Sequence, residues 1–298
     1  MNNSEQLAVH LAQRCAPLAA VLYEPAVDST NTRLKELARL GRLSGPTLMF
    51  TAWQSAGRGT RDRTWVQPRP ADPAALPRNI ALTLALPGAA QHLADSRLSL
   101  AVGALAAVAV EQAYPQPSAP WAFVKWPNDL LADKPGGADR ELRKFGGILL
   151  ESSGGWICVG IGINVNSLPS EFPADLHGRL VTLRDVLAPP EAAAVPAIAA
   201  AAAVPPELDI AALLEALSVK LTGGLIAAPD IDASVRDWLS RDRTAGTRYI
   251  LRRGAFEIPV TASHLIELSG ELVCCDAERR QYIVRSYREL EPAEPAER

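Results

Sequence analysis

Apolar and polar positions follow one pattern up to about residue 241 and another beyond it. Residues 1–20 read as a short amphipathic helix or a frayed lead-in, and Val21–Glu24 as a brief strand. Asp28-Ser29-Thr30-Asn31-Thr32 is a run of helix N-cap residue types. Leu34, Leu37 and Leu40 follow at helical spacing, and Gly41 supplies the stop. Thr47–Trp53 reads as a buried strand, and Asn79–Leu86 as an alternating strand ended by Pro87-Gly88. Ser96–Tyr114 predicts a long Ala-rich helix whose low polarity implies burial against a sheet. Phe123–Trp126 predicts a short strand closed by the turn Pro127-Asn128-Asp129. Phe145–Glu151 and Trp156–Asn164 predict strands paired around Gly154-Gly155. Leu208–Leu225 and Ile231–Leu239 read as helices. From Thr247 onward only short alternating runs occur (TRYILRR, AFEIPVTA, HLIEL, ELVCC, QYIVRSY), which predicts a small all-β module. The boundary falls near Arg241–Gly246, giving two domains, 1–241 and 242–298. The tail EPAEPAER reads as a solvated, disordered end.

Composition changes this picture at one place. Residues 188–206 hold ten Ala and five Pro in nineteen positions, a low-complexity surface insertion in which the Pro break any long helix. Otherwise the 298 residues are ordinary for a globular chain, 48% hydrophobic and 21% charged with a net charge of −3. That balance offers no global basic field for nucleic acid. Five of the 30 basic residues are Lys: Lys35, Lys125, Lys134, Lys144 and Lys220. Lys35, Lys134 and Lys220 read as solvated.

Several function classes lack support. No signal peptide is legible at the start. The stretch Leu98–Val110 is too short for a bilayer, which needs about 20 residues. Cys15, Cys158, Cys274 and Cys275 form no C-x-x-C pair, so reduced thiols in the cytoplasm are expected. The four His show no H-E-x-x-H spacing, and there is no Walker A loop and no G-x-S-x-G elbow.

Four stretches carry chemistry. Gly57-Arg58-Gly59-Thr60-Arg61-Asp62-Arg63-Thr64-Trp65 sets three Arg beside two Gly directly after a strand. Gly admits a ligand close to the backbone, and Arg offers planar donors to phosphate or carboxylate. A solvated basic hairpin tip is the plain alternative. Lys125-Trp126-Pro127-Asn128-Asp129 puts a Lys inside an apolar strand, where it must reach water or meet an anion. An edge strand with an outward Lys would also satisfy that pattern. Lys144-Phe145-Gly146-Gly147-Ile148-Leu149-Leu150-Glu151 and Val159-Gly160-Ile161-Gly162-Ile163-Asn164 are Gly-bearing buried strands. Gly160 and Gly162 share one strand face, as a site needing close backbone approach would require.

In this order and wording the four stretches, with Ser29-Thr30-Asn31 ahead of them, resemble the biotin protein ligases. The resemblance is specific over residues 22–170 and general beyond. It implies an α+β fold: a mixed, mainly antiparallel sheet packed by helices, then an SH3-like β-barrel. It implies activation of biotin by ATP and magnesium to biotinyl-5′-AMP, then transfer of biotin to a Lys of a biotin carboxyl carrier domain. Catalysis is implied for Lys125, Lys144 and Arg58. Biotin contacts are implied for Ser29, Thr30, Asn31, Gln54, Gly57, Arg58, Gly59, Lys144 and Gly147. Nucleotide contacts are implied for Arg58, Arg61, Trp65, Lys125, Asn128, Asp129, Gly162 and Asn164. No metal ligand is assigned. Asp129 is a candidate base for the acceptor Lys, and a phosphate oxygen is another. The chain departs from the family at Thr60, where a second loop Arg is common. Either Arg61 takes its place or the adenylate is held less tightly. The loop is expected to be mobile until ligand orders it. About 20 residues precede the catalytic part, so a ligase without a DNA-reading domain is expected, with no DNA or membrane partner. A homodimer is left open. A lipoate-type ligase on the same fold and a non-catalytic biotin sensor are the competing readings.

Overall fold

A computed structural model describes residues 1–72, 76–88, 97–117, 120–133, 141–188 and 206–293. The insertion at 188–206 and Lys134 therefore fall almost entirely outside the described residues. Helix α1 (Asn3–Arg14) opens with a reciprocal cap: Glu5 N donates to Asn2 Oδ1 at 2.8 Å, and Asn2 N to Glu5 Oε2 at 2.9 Å. Strand β1 (Ala20–Val27), helix α2 (Thr30–Arg39), and strands β2 (Thr47–Gln54) and β3 (Ile80–Pro87) follow. Helix α3 (Arg97–Ala113) leads to β4 (Phe123–Lys125), β5 (Asp129–Asp133), β6 (Leu142–Ser153) and β7 (Trp156–Ile163). These strands form one seven-stranded sheet in the order β1-β2-β3-β7-β6-β5-β4. The β1–β2 pair is parallel and the rest antiparallel.

Strand period decides which side chains meet. On β7, Ile157, Val159, Ile161 and Ile163 enter the main core under α3, with Leu82 and Leu84 of β3. The opposite face carries Cys158, Gly160 and Gly162. There α2 packs its Leu34 with Met49, Ala85 and Cys158 into a second, smaller core. Helices α4 (Ile210–Thr222) and α5 (Ile231–Arg241) pack on α3. The helical stretch Ile210–Ala227 is apolar and long enough to cross a membrane, with mean hydropathy 1.6. Its Leu213, Leu214, Leu217 and Leu221 are nevertheless buried in this core.

Strands β8 (Arg248–Arg253), β9 (Phe256–Leu265), β10 (Leu272–Cys275), β11 (Gln281–Val284) and β12 (Leu290–Pro292) make a second, antiparallel sheet, ordered β11-β10-β9-β8-β12. The sequence reading differs in three places. AFEIPVTA runs on through Ser263 into the start of HLIEL as one strand that ends at Leu265. Glu291 and Pro292 of the predicted disordered tail pair with β8, although residues 294–298 lie outside the described residues. Asp129 does not end in a turn but starts β5, its Asp129–Asp133 run pairing both β4 and β6. A strand of five residues tight against a Pro-Asn turn leaves too short a period to read. Trp126 ties the two sheets together: its backbone N donates to Thr244 Oγ1 at 2.8 Å and its Nε1 to Gly270 O at 3.1 Å.

Candidate active site

The start of α2 faces a cavity on the glycine-bearing side of the sheet. Its wall is lined by Ser29, Thr30, Asn31 and Gln54, its loop side by Arg58, Gly59, Thr60 and Trp65, and its far side by Asn128, Lys144 and Gly147. Gly160 and Gly162 form the floor. The floor has to be glycine. A Cβ at Gly162 would stand 2.5 Å from Trp65 Cε2, and one at Gly160 would intrude on Asn31 Oδ1. The second Gly of the strand thus seats the Trp65 ring, and the first seats the Asn31 amide.

One end of the cavity is neutral and tightly hydrogen-bonded. Thr30 donates to Gln54 Oε1 through its backbone N at 2.9 Å and its hydroxyl at 3.2 Å. The Thr83 hydroxyl lies 2.7 Å from that of Thr30 and 2.6 Å from Asn31 Oδ1. All of these groups are buried. Ser29 caps α2 by backbone conformation alone, with no capping bond from its side chain. Such a wall offers donors and acceptors without net charge, as a neutral polar ring requires. Thr83 was not legible as a site residue, because it sits in an alternating strand whose polar positions read as solvent-facing.

The other end is cationic. Lys125 and Asp129 are register partners across β4–β5, and Lys144 of β6 forms an ion pair with Asp129. Burial pushes the Lys125 ammonium pKa down, Lys144 adds to that, and Asp129 opposes it. The Lys125 Nζ stands 5.8 Å from the centre of the Tyr249 ring, on the second sheet. Asn128 holds the strand end, its Nδ2 donating to Ile148 O at 2.7 Å. Lys125 and Asp129 back the cavity through Lys144, without lining it themselves.

The Gly-Arg loop is folded back as a hairpin. Trp65 N donates to Gly57 O at 2.9 Å and Gly59 N to Arg63 O at 2.7 Å. Gly57 is consumed in that closure, its Cα against the Trp65 carbonyl, and does not face the cavity. Trp65 Nε1 is buried without a hydrogen-bond partner among the described residues. Arg58 Nη2 reaches Glu151 Oε1 at 3.1 Å. The same carboxylate takes Lys35 Nζ at 2.6 Å and Asn31 Nδ2 at 3.0 Å. Lys35 is therefore an ion-pair member beside the site and not a solvated residue. Glu151 was quoted within its motif yet given no role.

Two predicted nucleotide contacts lie elsewhere. Arg61 does not fill the place of the missing loop Arg. With φ +60 it turns its guanidinium away, onto the Tyr287 carbonyl and ring of the second sheet. Thr60 lines the cavity instead. Asn164 is buried beyond the strand end, its backbone bonded to Phe145 O and Leu183 N at 2.7 and 3.0 Å, and does not line the cavity.

Comparison with known proteins follows the same lines. Residues 23–166 match the model of the biotin/lipoate A/B protein ligase family. The chain is 38% identical over 149 residues to a biotin–[acetyl-CoA-carboxylase] ligase of Paracoccus denitrificans, covering 48% of this chain and 53% of the relative. It is 33% identical over 146 residues to the bifunctional ligase/repressor BirA of Escherichia coli K12, covering 47% of this chain and 39% of the relative. The aligned part thus spans about half the length of the curated relatives it matches. In fold, the chain is similar to the Aquifex aeolicus biotin protein ligase solved with biotin and ATP. The TM-score is 0.65 at 22% identity, over 92% of this chain and 98% of that one. It is also similar to the Leishmania major biotin protein ligase solved with biotinyl-5-AMP, with a TM-score of 0.55 at 21% identity, over 89% and 98% of the two chains. A cavity with one neutral and one cationic end, framed by the Gly-Arg loop, Lys125-Trp126-Pro127-Asn128-Asp129 and the paired glycine strands, lies almost wholly inside the matched segment. Over residues 23–166 the chain matches the biotin/lipoate A/B protein ligase family.

Proposed function

We propose that the protein activates biotin with ATP to biotinyl-5′-AMP and passes biotin to a Lys of a biotin carboxyl carrier domain. The observation that carries this is the division of one cavity into a neutral wall and a cationic end, joined by a glycine floor. The neutral ureido ring suits Ser29, Thr30, Asn31 and Gln54. The chain of biotin then leads its carboxylate toward Lys144, Lys125 and Arg58. A carboxylate is a poor acyl donor because its leaving group would be an oxide. An oxygen of the biotin carboxylate attacks the α-phosphorus of ATP, the bond to the β-phosphate breaks, and pyrophosphate leaves. Two anions must approach for this, and fixed cations in a site shielded from water make it feasible. Lys144 and Lys125 stabilise the junction of carboxylate and phosphate, and Arg58 the pyrophosphate side. Trp65 covers the adenine side, where its buried N–H awaits an acceptor. In the second step the acceptor amine attacks the acyl carbon, AMP departs, and the proton passes to Asp129 or to a phosphate oxygen.

No group of three or more His, Cys, Asp or Glu stands together among the described residues. Magnesium usually arrives on the phosphates with one or two carboxylates. Asp129, behind the cavity wall, is the carboxylate nearest the cationic end that would hold it, and the ion would supply charge neutralisation to the phosphates. Residues 1–241 carry this chemistry. Residues 242–298, read as an SH3-like module, supply Tyr249 and Tyr287 behind Lys125 and Arg61, which supports a part in nucleotide handling. The reading also places the protein in the cytoplasm, where ATP and the carrier reside.

The test is exchange of labelled pyrophosphate into ATP, dependent on biotin and not on lipoate, followed by transfer of biotin to a purified carrier domain. Both activities are expected. Exchange that answers to lipoate, or tight biotin binding with neither exchange nor transfer, would overturn the reading.

A further inference from the structure

Arg58 belongs to the cationic end by sequence, yet its guanidinium is held by Glu151 at the rim. Three groups share that carboxylate. Lys35 and Arg58 meet the same oxygen, Oε1, at 2.6 and 3.1 Å, and Asn31 Nδ2 takes Oε2 at 3.0 Å. The two cations are not equivalent. Lys35 is 21% exposed and sits on α2, four residues after Asn31, so both reach Glu151 from one helix face. Arg58 is 45% exposed and sits on a glycine-flanked loop. Two cations on one oxygen also repel each other, and the cluster carries a net positive charge that only an added anion can neutralise.

We infer that Lys35 and Glu151 are a positioning pair for Arg58: Glu151 parks the arginine at the rim, and Lys35 keeps that hold weak enough for an arriving phosphate to take it. Lys35 alone satisfies Glu151 once Arg58 has gone, so release strands no buried charge. Without Lys35, Arg58 becomes the sole counter-ion of a half-buried carboxylate and is retained. The device rests on the ligase reading only for the identity of the phosphate. The ion-pair geometry itself is independent of it.

The experiment measures binding of inorganic pyrophosphate to the full chain by calorimetry, in wild type, Lys35→Met, Glu151→Gln and the double variant. Gln at 151 keeps an acceptor for Asn31. Lys35→Met is expected to weaken binding about threefold, the scale of one part-exposed ion pair. Glu151→Gln is expected to bind at least as tightly as wild type. The double variant decides the matter. If Lys35 acts through Glu151, its loss costs nothing once Glu151 is neutral, and the double variant binds like Glu151→Gln. A general field effect of the two charges would give additive changes, and that result overturns the inference. So would unchanged binding in Lys35→Met. Biotin-dependent pyrophosphate exchange by wild type, run alongside, reports on the ligase reading separately. Its absence with the non-additive pattern intact would leave the positioning pair standing on another phosphate ligand.

Discussion

Two carboxylates stand among cations around this cavity, Asp129 behind its wall and Glu151 at its rim, and they are built differently. Asp129 is fixed within the sheet. Lys144 of β6 pairs with it and Lys125 of β4 stands opposite it in register, so ladder hydrogen bonds set all three backbones. Glu151 also lies on a strand, but its partners come from helix α2 and from the Gly-Arg loop. The first cluster is preorganised, and the second has one cation able to leave. Stabilising a developing charge calls for the first kind, because fixed charges need no rearrangement as the reaction proceeds. Admitting a highly charged ligand calls for the second. The contrast explains why the cationic end can be rigid while the cavity remains accessible.

The largest expected effect strikes the rigid cluster. Lys144→Ala should lower biotin-dependent pyrophosphate exchange by ~10²–10³-fold, the scale seen when one preorganised charge-stabilising donor is removed. Thermal unfolding should change little, because Asp129 keeps Lys125 beside it. Removal of Arg58 by substitution to Ala should cost less in exchange than this. An equal loss would mean that the loop cation is as preorganised as the strand cation, and the contrast would fail.

The floor beneath both clusters comes next. Gly162→Ala brings a Cβ to 2.5 Å from the Trp65 ring, which must shift. Displacement of a packed ring of this kind costs about 1–3 kcal/mol. The loss should appear in ATP affinity more than in biotin affinity, because Trp65 belongs to the loop. Separate KM values for the two substrates measure this split. A rise confined to biotin would place Trp65 on the wrong side.

Legibility in the sequence divides along the same line. Of the Asp129 cluster, Lys125 was readable because a Lys inside an apolar strand stands out against its neighbours, whereas Asp129 in a turn-like Pro-Asn-Asp run and Lys144 in a basic pair were picked out by the family resemblance. The alternating period of β3, the apolar runs of β2, β6 and β7, and the paired glycines of β7 were readable from local pattern alone. Lys35 was not, since a Lys on an amphipathic helix looks solvated until its partner is known. The i,i+4 spacing from Asn31 was the available signal, and the period from Gly147 through Leu149 to Glu151 was its complement. Arg61 misled because three arginines in one loop look alike in sequence. Only its positive φ and the approach of Tyr287 turn it away. Strand β5 and the merging of two runs into β9 escaped because pairing partners, not local pattern, set those bounds.

A smaller effect concerns Thr83, which supports the neutral wall that Asn31 connects to Glu151. Thr83→Val keeps the shape and removes the hydroxyl between Thr30 and Asn31. Loss of one buried partner should weaken biotin binding about tenfold, or about 1.4 kcal/mol. Pyrophosphate binding should hold steady. If it falls as well, the neutral wall and the Glu151 cluster behave as one unit.

The smallest effect is the most specific to the movable cluster. Burial alone would raise the Glu151 pKa, but hydrogen bonds from Lys35 and Asn31 and the charges of Lys35 and Arg58 bring it below the ordinary carboxylate value. A carboxylate depressed in the folded state contributes stability that is fully present above its unfolded pKa. That contribution is lost as pH falls through the folded value. Wild type should therefore melt slightly above Glu151→Gln at every pH over about 5, where an unfolded Glu is ionised. The difference should be no more than about 1 kcal/mol, since Arg58 is half exposed. Below an unfolded pKa of about 4.3 the gap should close steadily. Lys35→Met removes the shorter ion pair, so the folded pKa rises and the gap should close at higher pH than in wild type. Melting curves across the acid range check both statements. A gap that persists undiminished at the acid end would mean that Glu151 contributes by packing and not by charge, and the two carboxylates would then differ in kind as well as in construction.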